Sequence, residues 1–309
     1  MADVKLIHGD CLIESEQIES GSVDLILTDL PYGTMNGFSG IDWDFAIDPI
    51  KVFNIANRIL RKNGKMVLFS QEPYTSQLIT HAIPNVPFSY RMMWEKDNFA
   101  NALLCNKAPV SYFEDVLVFS KSYESESNND NPCKPYFEKV IRFVNLNINQ
   151  INNKLGHRNA EHAFYYDSNQ FRLCTESTYK DLIRIFNINR MEGFLEYSKL
   201  RDMNKKYKNT FASTFNLWQG NKYKSNILKY KKDYNGFHPT QKPVLLLEDL
   251  VKTFSNEGNL VVDLTMGSGS TGVACKNTNR DFIGIEKDEG YFKIAENRIQ
   301  EYQSQGRLF

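Results

Sequence analysis

The chain has 309 residues, room for one large or two ordinary domains at ~150 residues each. Lys plus Arg and Asp plus Glu both total 37, and 41% of residues are hydrophobic, which excludes wholesale disorder. No run approaches the ~18 apolar residues of a membrane span, the start MADVKLIHGD has no signal-peptide core, and five scattered cysteines without a CxxC pair exclude a disulfide framework and a structural zinc site, so a soluble cytoplasmic protein is expected.

The first stretch alternates strands and helices. VKLIHGD (4–10) is a short strand ending in a turn, and VDLILTDLPYG (23–33) is an apolar run of the kind buried on both faces of a sheet. Ile50, Phe53, Ala56, Ile59 and Leu60 recur at helical spacing, with Asp48 as the starting cap and Gly64 as the stop. KMVLFS (65–70), YRMMWEK (90–96) and DVLVFSK (115–121) are further strands.

From Ser122 the texture turns to Asn, Lys, Tyr and Ser, opening on the loop-like SYESESNNDNP (122–132). Residues 178–200 show helical periodicity. Charge segregates here: between Lys121 and Lys242 there are 21 basic and 12 acidic residues. From Lys199 to Lys232 ten basic residues face a single acid, Asp202, with aromatics between them. Such a block suits phosphates and stacked bases, although a solvated loop packed by core aromatics has the same composition.

After Gly236 the first texture returns. Pro243 opens a helix with Val244, Leu247, Leu250, Val251 and Phe254 on one face. NLVVDL (259–264) and DFIGIE (281–286) are strands, a glycine-rich turn separates the first from a helix, and an amphipathic helix ends the chain. The expected fold class is α/β, a doubly wound, mostly parallel sheet with an inserted region.

Three segments carry chemistry. In Asp263-Leu-Thr265-Met-Gly267-Ser-Gly269-Ser270-Thr271-Gly272, glycines at a strand-to-helix turn admit a ligand close to the backbone. Glu286 ends the next strand, where an acid bonds ribose hydroxyls, so a nucleoside-containing cofactor is implied; the glycine pattern also permits a dinucleotide. Asp29-Leu30-Pro31-Tyr32-Gly33 closes a buried strand, with an acceptor and a flat aromatic face at its carboxyl end. Taken alone it is also an ordinary strand-ending turn. His238-Pro239-Thr240-Gln241-Lys242-Pro243 is a stiff polar segment leading into a helix.

Together the three resemble the S-adenosylmethionine-dependent amino-methyltransferases of DNA, in the order of the permuted β subgroup. DLPY resembles that family's D/N/S-P-P-Y catalytic tetrad, DLTMGSGSTG its cofactor loop, and HPTQKP its H-P-T-x-K-P element. Two departures stand out: Leu30 replaces the tetrad's first Pro, and Thr265 stands where an aromatic is expected. The likeness covers roughly residues 3–121 and 236–302. It implies a Rossmann-like methyltransferase domain in two halves, 1–121 (catalytic) and 236–309 (cofactor), around a target-recognition region at 122–235.

The resemblance implies that Asp29, the Pro31 carbonyl and Tyr32 are catalytic. Asp10, Cys11, Thr240, Lys242, Asp263, Thr265, Gly267, Gly269, Ser270, Thr271 and Glu286 would bind S-adenosylmethionine, with Asp10 toward its adenine and Lys242 toward its methionine end. Lys205, Lys206, Lys208, Lys229, Lys231 and Lys232 would track duplex DNA. No metal and no membrane partner are expected. A homodimer and a cognate restriction nuclease are partner classes compatible with a restriction-modification enzyme. The implied reaction is methylation of adenine N6 on a flipped base by direct in-line displacement. Alternatives are methylation of cytosine N4 or of RNA, a nicotinamide-dependent oxidoreductase, and a non-catalytic DNA-binding protein on the same scaffold.

Overall fold

The computed structural model describes residues 2–33, 46–100, 105–107, 109–122, 131–168, 170–211, 213–233 and 241–305. In chain order its elements begin β1 (Val4–His8), α1 (Cys11–Glu14), β2 (Val23–Thr28), α2 (Pro49–Ile59), β3 (Leu60–Ser70), α3 (Tyr74–Thr80), β4 (Phe88–Ala100) and β5 (Ser111–Ser120). Helices α4 (Lys134–Val144), α5 (Ile148–Leu155), α6 (Glu176–Phe186) and α7 (Tyr197–Phe211) come next. The chain ends with β6 (Ile227–Lys229), α8 (Val244–Phe254), β7 (Leu260–Asp263), α9 (Ser270–Asn277), β8 (Asp281–Glu286) and α10 (Glu289–Gln305).

The strands form one sheet in the order β1-β8-β7-β2-β3-β5-β4-β6. All neighbours pair in parallel except at β5, which is antiparallel to both β3 and β4. Sequence alternation sends side chains to two cores. Ile26, Met66, Leu68 and Val262 join Val52, Phe53, Ala56, Tyr74 and Leu78 on one face. Leu25, Leu27, Val67, Phe69 and Val261 join Leu247, Leu250, Val273, Ala295 and Ile299 on the other. Burying each such side chain contributes about 1.5–3 kcal/mol, so a strand covered on both faces is a rigid support for the residues just past its end. This is the doubly wound, mostly parallel fold that the alternating pattern predicts.

The chain reverses its progress across the sheet between β7 and β2. In open α/β sheets a crevice forms there, outside the carboxyl ends of the strands. The expected strand 23–33 stops at Thr28, so Asp29–Gly33 lies past the strand end, in that position.

The chain divides into two compact units, Met1–Tyr123 with Ser213–Phe309, and Glu124–Ala212. The second has its own core, built on Phe137, Val140, Ile151, Phe164, Tyr179 and Leu182. Its helix α5 carries a reciprocal capping box between Asn147 and Gln150. The helix expected over 178–200 is broken, because Asn187 takes a left-handed conformation (φ 53°) and ends α6. The block expected at 122–235 is also not one structural unit. Residues from Ser213 onward return to the sheet unit, where β6 pairs with β4 and the Trp218 indole donates to Asp249 at 2.8 Å. Among the described residues no helix is long and apolar enough to cross a membrane, and no group of three or more His, Cys, Asp or Glu could hold a metal ion.

Candidate active site

Asp29 sits one peptide beyond β2, beside the turn after β7. Two hydrogen bonds join the segments: the Thr265 hydroxyl donates to the Asp29 carbonyl at 2.9 Å and pairs with the Thr28 hydroxyl at 2.9 Å. Thr265 therefore ties the glycine-rich turn to the Asp29 segment. The Asp29 carboxylate accepts from the Tyr32 hydroxyl at 2.6 Å on Oδ1 and from Lys242 Nζ on Oδ2. The Tyr32 ring is half-buried and tilted against Tyr74, with centroids 5.9 Å apart. Pro31 is likewise half-buried in this segment.

Lys242 also lies 3.2 Å from Glu114, which pairs with Lys96 at 2.5 Å. Four charges thus alternate in sign. Lys96, Lys242 and Glu114 are nearly closed off from solvent, while Asp29 keeps 26% of its side chain exposed. Burial pushes the Asp29 carboxyl above its usual range, against the pull of Lys242. Burial also disfavours the Lys242 ammonium, but Asp29 and Glu114 outweigh it and hold the proton more tightly than usual. Lys242 is thus engaged with Asp29 and Glu114 here. Thr240 lies outside the described residues.

Asp263 is buried, and burial raises its carboxyl to about 6. It accepts from the Thr271 hydroxyl at 2.6 Å and the Thr265 N–H at 3.1 Å, which shapes the turn from inside. Glu286 ends β8 and accepts from the N–H groups of Gly267 and Asp288 at 2.9 and 2.8 Å. Burial raises its carboxyl as well. A carboxylate has about four acceptor positions, so capacity remains for a ligand. Gly269 has φ 81°, and a Cβ there would stand 3.0 Å from Ala295 and Ile299; one at Gly272 would stand 2.4 Å from Ile299 and 2.8 Å from Phe282. These two glycines let α9 pack closely on α10 and β8. Arg298 braces the turn from outside, donating to Ser268 and Ser270.

Asp10 caps α1, accepting from the Leu12 N–H and from Lys287, each at 3.0 Å. Partial burial pushes its carboxyl up, but these two donors prevail and hold it below its usual value. Cys11 is buried at the start of α1, and burial pushes its thiol to about 12, so its sulfur is unreactive. Asp10 shares a sheet end with Glu286, because β1 pairs with β8 and the Gly9 N–H donates to the Glu286 carbonyl at 2.9 Å.

The six lysines expected on DNA are divided. Lys205 and Lys206 are exposed on α7 of the helical unit, which also carries Lys208, whose side chain lies outside the described residues. Lys229, Lys231 and Lys232 belong to the sheet unit. Lys229 pairs with Glu95 at 3.2 Å, Lys231 is exposed, and the Lys232 N–H donates to Asp97 at 2.9 Å. Sequence reasoning missed Glu114, Lys96 and Arg298. The only signal was an acid and a base standing at the ends of apolar strand runs.

A family model described as a DNA methylase matches residues 23–297. The type II methyltransferase M2.DpnII of Streptococcus pneumoniae is 33% identical over 131 residues, 42% of this chain and 44% of that protein. The DNA adenine methyltransferase YhdJ of Escherichia coli K12 is 24% identical over 304 residues, 95% of this chain and 82% of that protein. The chain thus spans less than half of the first relative and most of the second. Among solved structures, the M1.HpyAVI–SAM complex is similar with a TM-score of 0.52 at 19% identity, covering 96% of this chain and 99% of that one, a likeness of fold.

Proposed function

The chain belongs to the N6/N4 amino-methyltransferase family of DNA methylases, and from that premise we propose that it transfers a methyl group from S-adenosylmethionine to the N6 amino group of adenine in duplex DNA. The observation that carries this reading is the position of Asp29: a carboxylate just past the end of β2, hydrogen-bonded through its carbonyl to the glycine-rich turn after β7.

The residues present fit the cofactor. Glu286 retains acceptor capacity for ribose hydroxyls, and its carboxylate is fixed by two backbone donors. Gly267, Gly269, Ser270 and Thr271 surround the start of α9, and Asp263 and Thr265 fix the turn. Asp10 and Cys11 flank the neighbouring strand end; Thr240 and Lys242 complete the proposed set. When bound, S-adenosylmethionine supplies an electrophilic methyl group on a sulfonium.

The protein's task is to prepare the amine. An exocyclic nitrogen on a base is a poor nucleophile, because its lone pair is delocalised into the ring. Asp29 and the Pro31 carbonyl would each accept one amino hydrogen, turning the lone pair out of the ring plane. The same acceptors favour the positive charge that grows on nitrogen. Tyr32 would offer its ring face to the flipped base, while its hydroxyl keeps Asp29 in place. Lys205, Lys206, Lys208, Lys229, Lys231 and Lys232 would meet phosphates.

Asp29 at the head of its segment favours adenine, whereas cytosine-N4 members of the family more often carry Ser there. Incubating the protein with DNA and methyl-labelled S-adenosylmethionine, then separating the nucleosides, tests the reading. Label is expected in N6-methyladenine. Label in N4-methylcytosine would overturn the base assignment, and unlabelled DNA would overturn the reaction.

A further inference from the structure

The segment leading into α8 places Lys242 between two carboxylates, and neither the glycine-rich turn nor the proposed acceptor role of Asp29 requires this. Lys242 Nζ bonds Asp29 Oδ2 on one side and lies 3.2 Å from Glu114 Oε2 on the other. That Glu114 oxygen is buried and makes no hydrogen bond of its own, so the lysine is its electrostatic partner. Glu114 Oε1 is held by Lys96 at 2.5 Å from the adjacent strand. Two acids and two bases sum to zero, which removes the large cost of burying any one of these charges alone. Balance of charge alone would be met by Asp29 with Lys242. Glu114 with Lys96 would likewise balance alone, yet Lys242 bridges both acids.

We propose that Lys242 and Glu114 are positioning residues for Asp29: Lys242 keeps the carboxylate charged and fixes one oxygen, while Glu114 draws Lys242 back so that the acceptor face of Asp29 stays open to the amine. This rests on the reading of Asp29 as the amine acceptor. Without Lys242, burial would drive Asp29 toward its neutral acid, which cannot accept as strongly. Without Glu114, the ammonium would settle wholly on Asp29 and compete with the substrate amine for its lone pairs.

The charged and titratable groups around Asp29 come from several elements. Lys242 faces it from the α8 segment, Glu114 from β5, Tyr32 from its own segment and Asp263 from β7. Lys96 from β4 faces Glu114, and Tyr74 from α3 faces Tyr32. Lys242 and Tyr32 pull the Asp29 carboxyl down, whereas burial and Glu114 push it up. Removing Lys242 and removing Glu114 must therefore shift Asp29 in opposite directions, which a purely structural role does not require.

The test compares Lys242→Met and Glu114→Gln, with Lys242→Arg and Glu114→Asp as conservative partners, in the full chain. Two readouts are taken: the pH dependence of kcat, and the carbon-13 NMR titration of the Asp29 carboxyl without DNA. In Lys242→Met the acidic limb and the titration should move up by about one unit or more, with kcat lower by about ten- to a hundredfold. In Glu114→Gln both should move down, again with a lower kcat. S-adenosylmethionine affinity by calorimetry should be unchanged in Glu114→Gln, and the conservative variants should lie nearer wild type. Shifts in the same direction, or none, overturn the proposal. Should Lys242→Met fail to fold, an unmoved Asp29 titration in Glu114→Gln overturns it alone. Wild-type protein that transfers no methyl to adenine would sink the proposed reaction, while the NMR titrations still decide the charge network.

Discussion

Asp29 is the most exposed member of the buried charge quartet, as its proposed contact with substrate requires. Asp29→Ala should lower methyl transfer by about 10²–10³-fold, the usual loss for one preorganised polar partner of a transition state. Calorimetry should find cofactor affinity intact; near-wild-type turnover would remove Asp29 from the chemistry. Glu286→Ala should weaken S-adenosylmethionine binding by about ten- to a hundredfold, since hydrogen bonds to a charged acceptor contribute about 1.5–3 kcal/mol. Unchanged affinity would contradict its ribose role. Asp263 makes a prediction about stability. Burial raises its carboxyl from 3.8 to about 6, so between those values the folded chain holds a proton that the unfolded chain has lost. Stability from this group is therefore complete below about pH 4 and is lost as pH rises through about 6, amounting to roughly 3 kcal/mol. The unfolding free energy of wild type relative to Asp263→Asn should fall across that window; parallel curves would refute the shift. The places of Asp29 and Glu286 at strand ends were legible in the sequence, because each closes an apolar strand run. Glu114 and Lys96 were not, because their meaning depends on Lys242, brought to them by the α8 segment from more than a hundred residues away.

At the scale of elements, the glycine-rich turn is held by packing as much as by its own conformation. Gly269 combines a left-handed φ with contact against α10, so Gly269→Ala should destabilise the chain by about 1–3 kcal/mol. Denaturant titration reads this as a lower midpoint at unchanged slope; an unmoved midpoint would show that α10 gives way freely. In the sequence these glycines read only as room for a ligand, since helix–helix proximity leaves no mark in one chain's letters. Strands buried on both faces were readable from their apolar runs, as β2, β3, β7 and β8 show. Their ends were not: β2 stops at Thr28, where pairing with its neighbours ends, although buried Leu30 lies two residues further on. The helical unit was harder still. Asn187 looks like an ordinary polar position in a periodic run, and only its left-handed backbone ends α6 there.

At the scale of the whole molecule, zero net charge conceals a basic middle and an acidic remainder, and the boundary between the two units cuts through the basic block. The proposed DNA path is therefore testable in two halves. Lys205, Lys206 and Lys208 stand on α7, while the Lys229 ammonium pairs with Glu95 and the Lys232 backbone N–H donates to Asp97. A lysine already paired with a carboxylate replaces one partner with another when it meets phosphate, and it releases fewer counterions. Each free phosphate contact contributes about −0.9 to the slope of log affinity against log salt on duplex DNA. Replacing Lys205, Lys206 and Lys208 by Gln should then flatten that slope by up to ~2.7 units. Replacing Lys229, Lys231 and Lys232 should flatten it by less than that limit, because Lys229 exchanges Glu95 for phosphate. Cofactor affinity should be unchanged in both triple variants, because none of the six lies on the glycine-rich turn or beside Glu286. Flattening at the full limit would show that the Glu95 contact is given up without cost on binding. A slope unmoved by either set would leave the basic block a solvated face, with DNA held elsewhere.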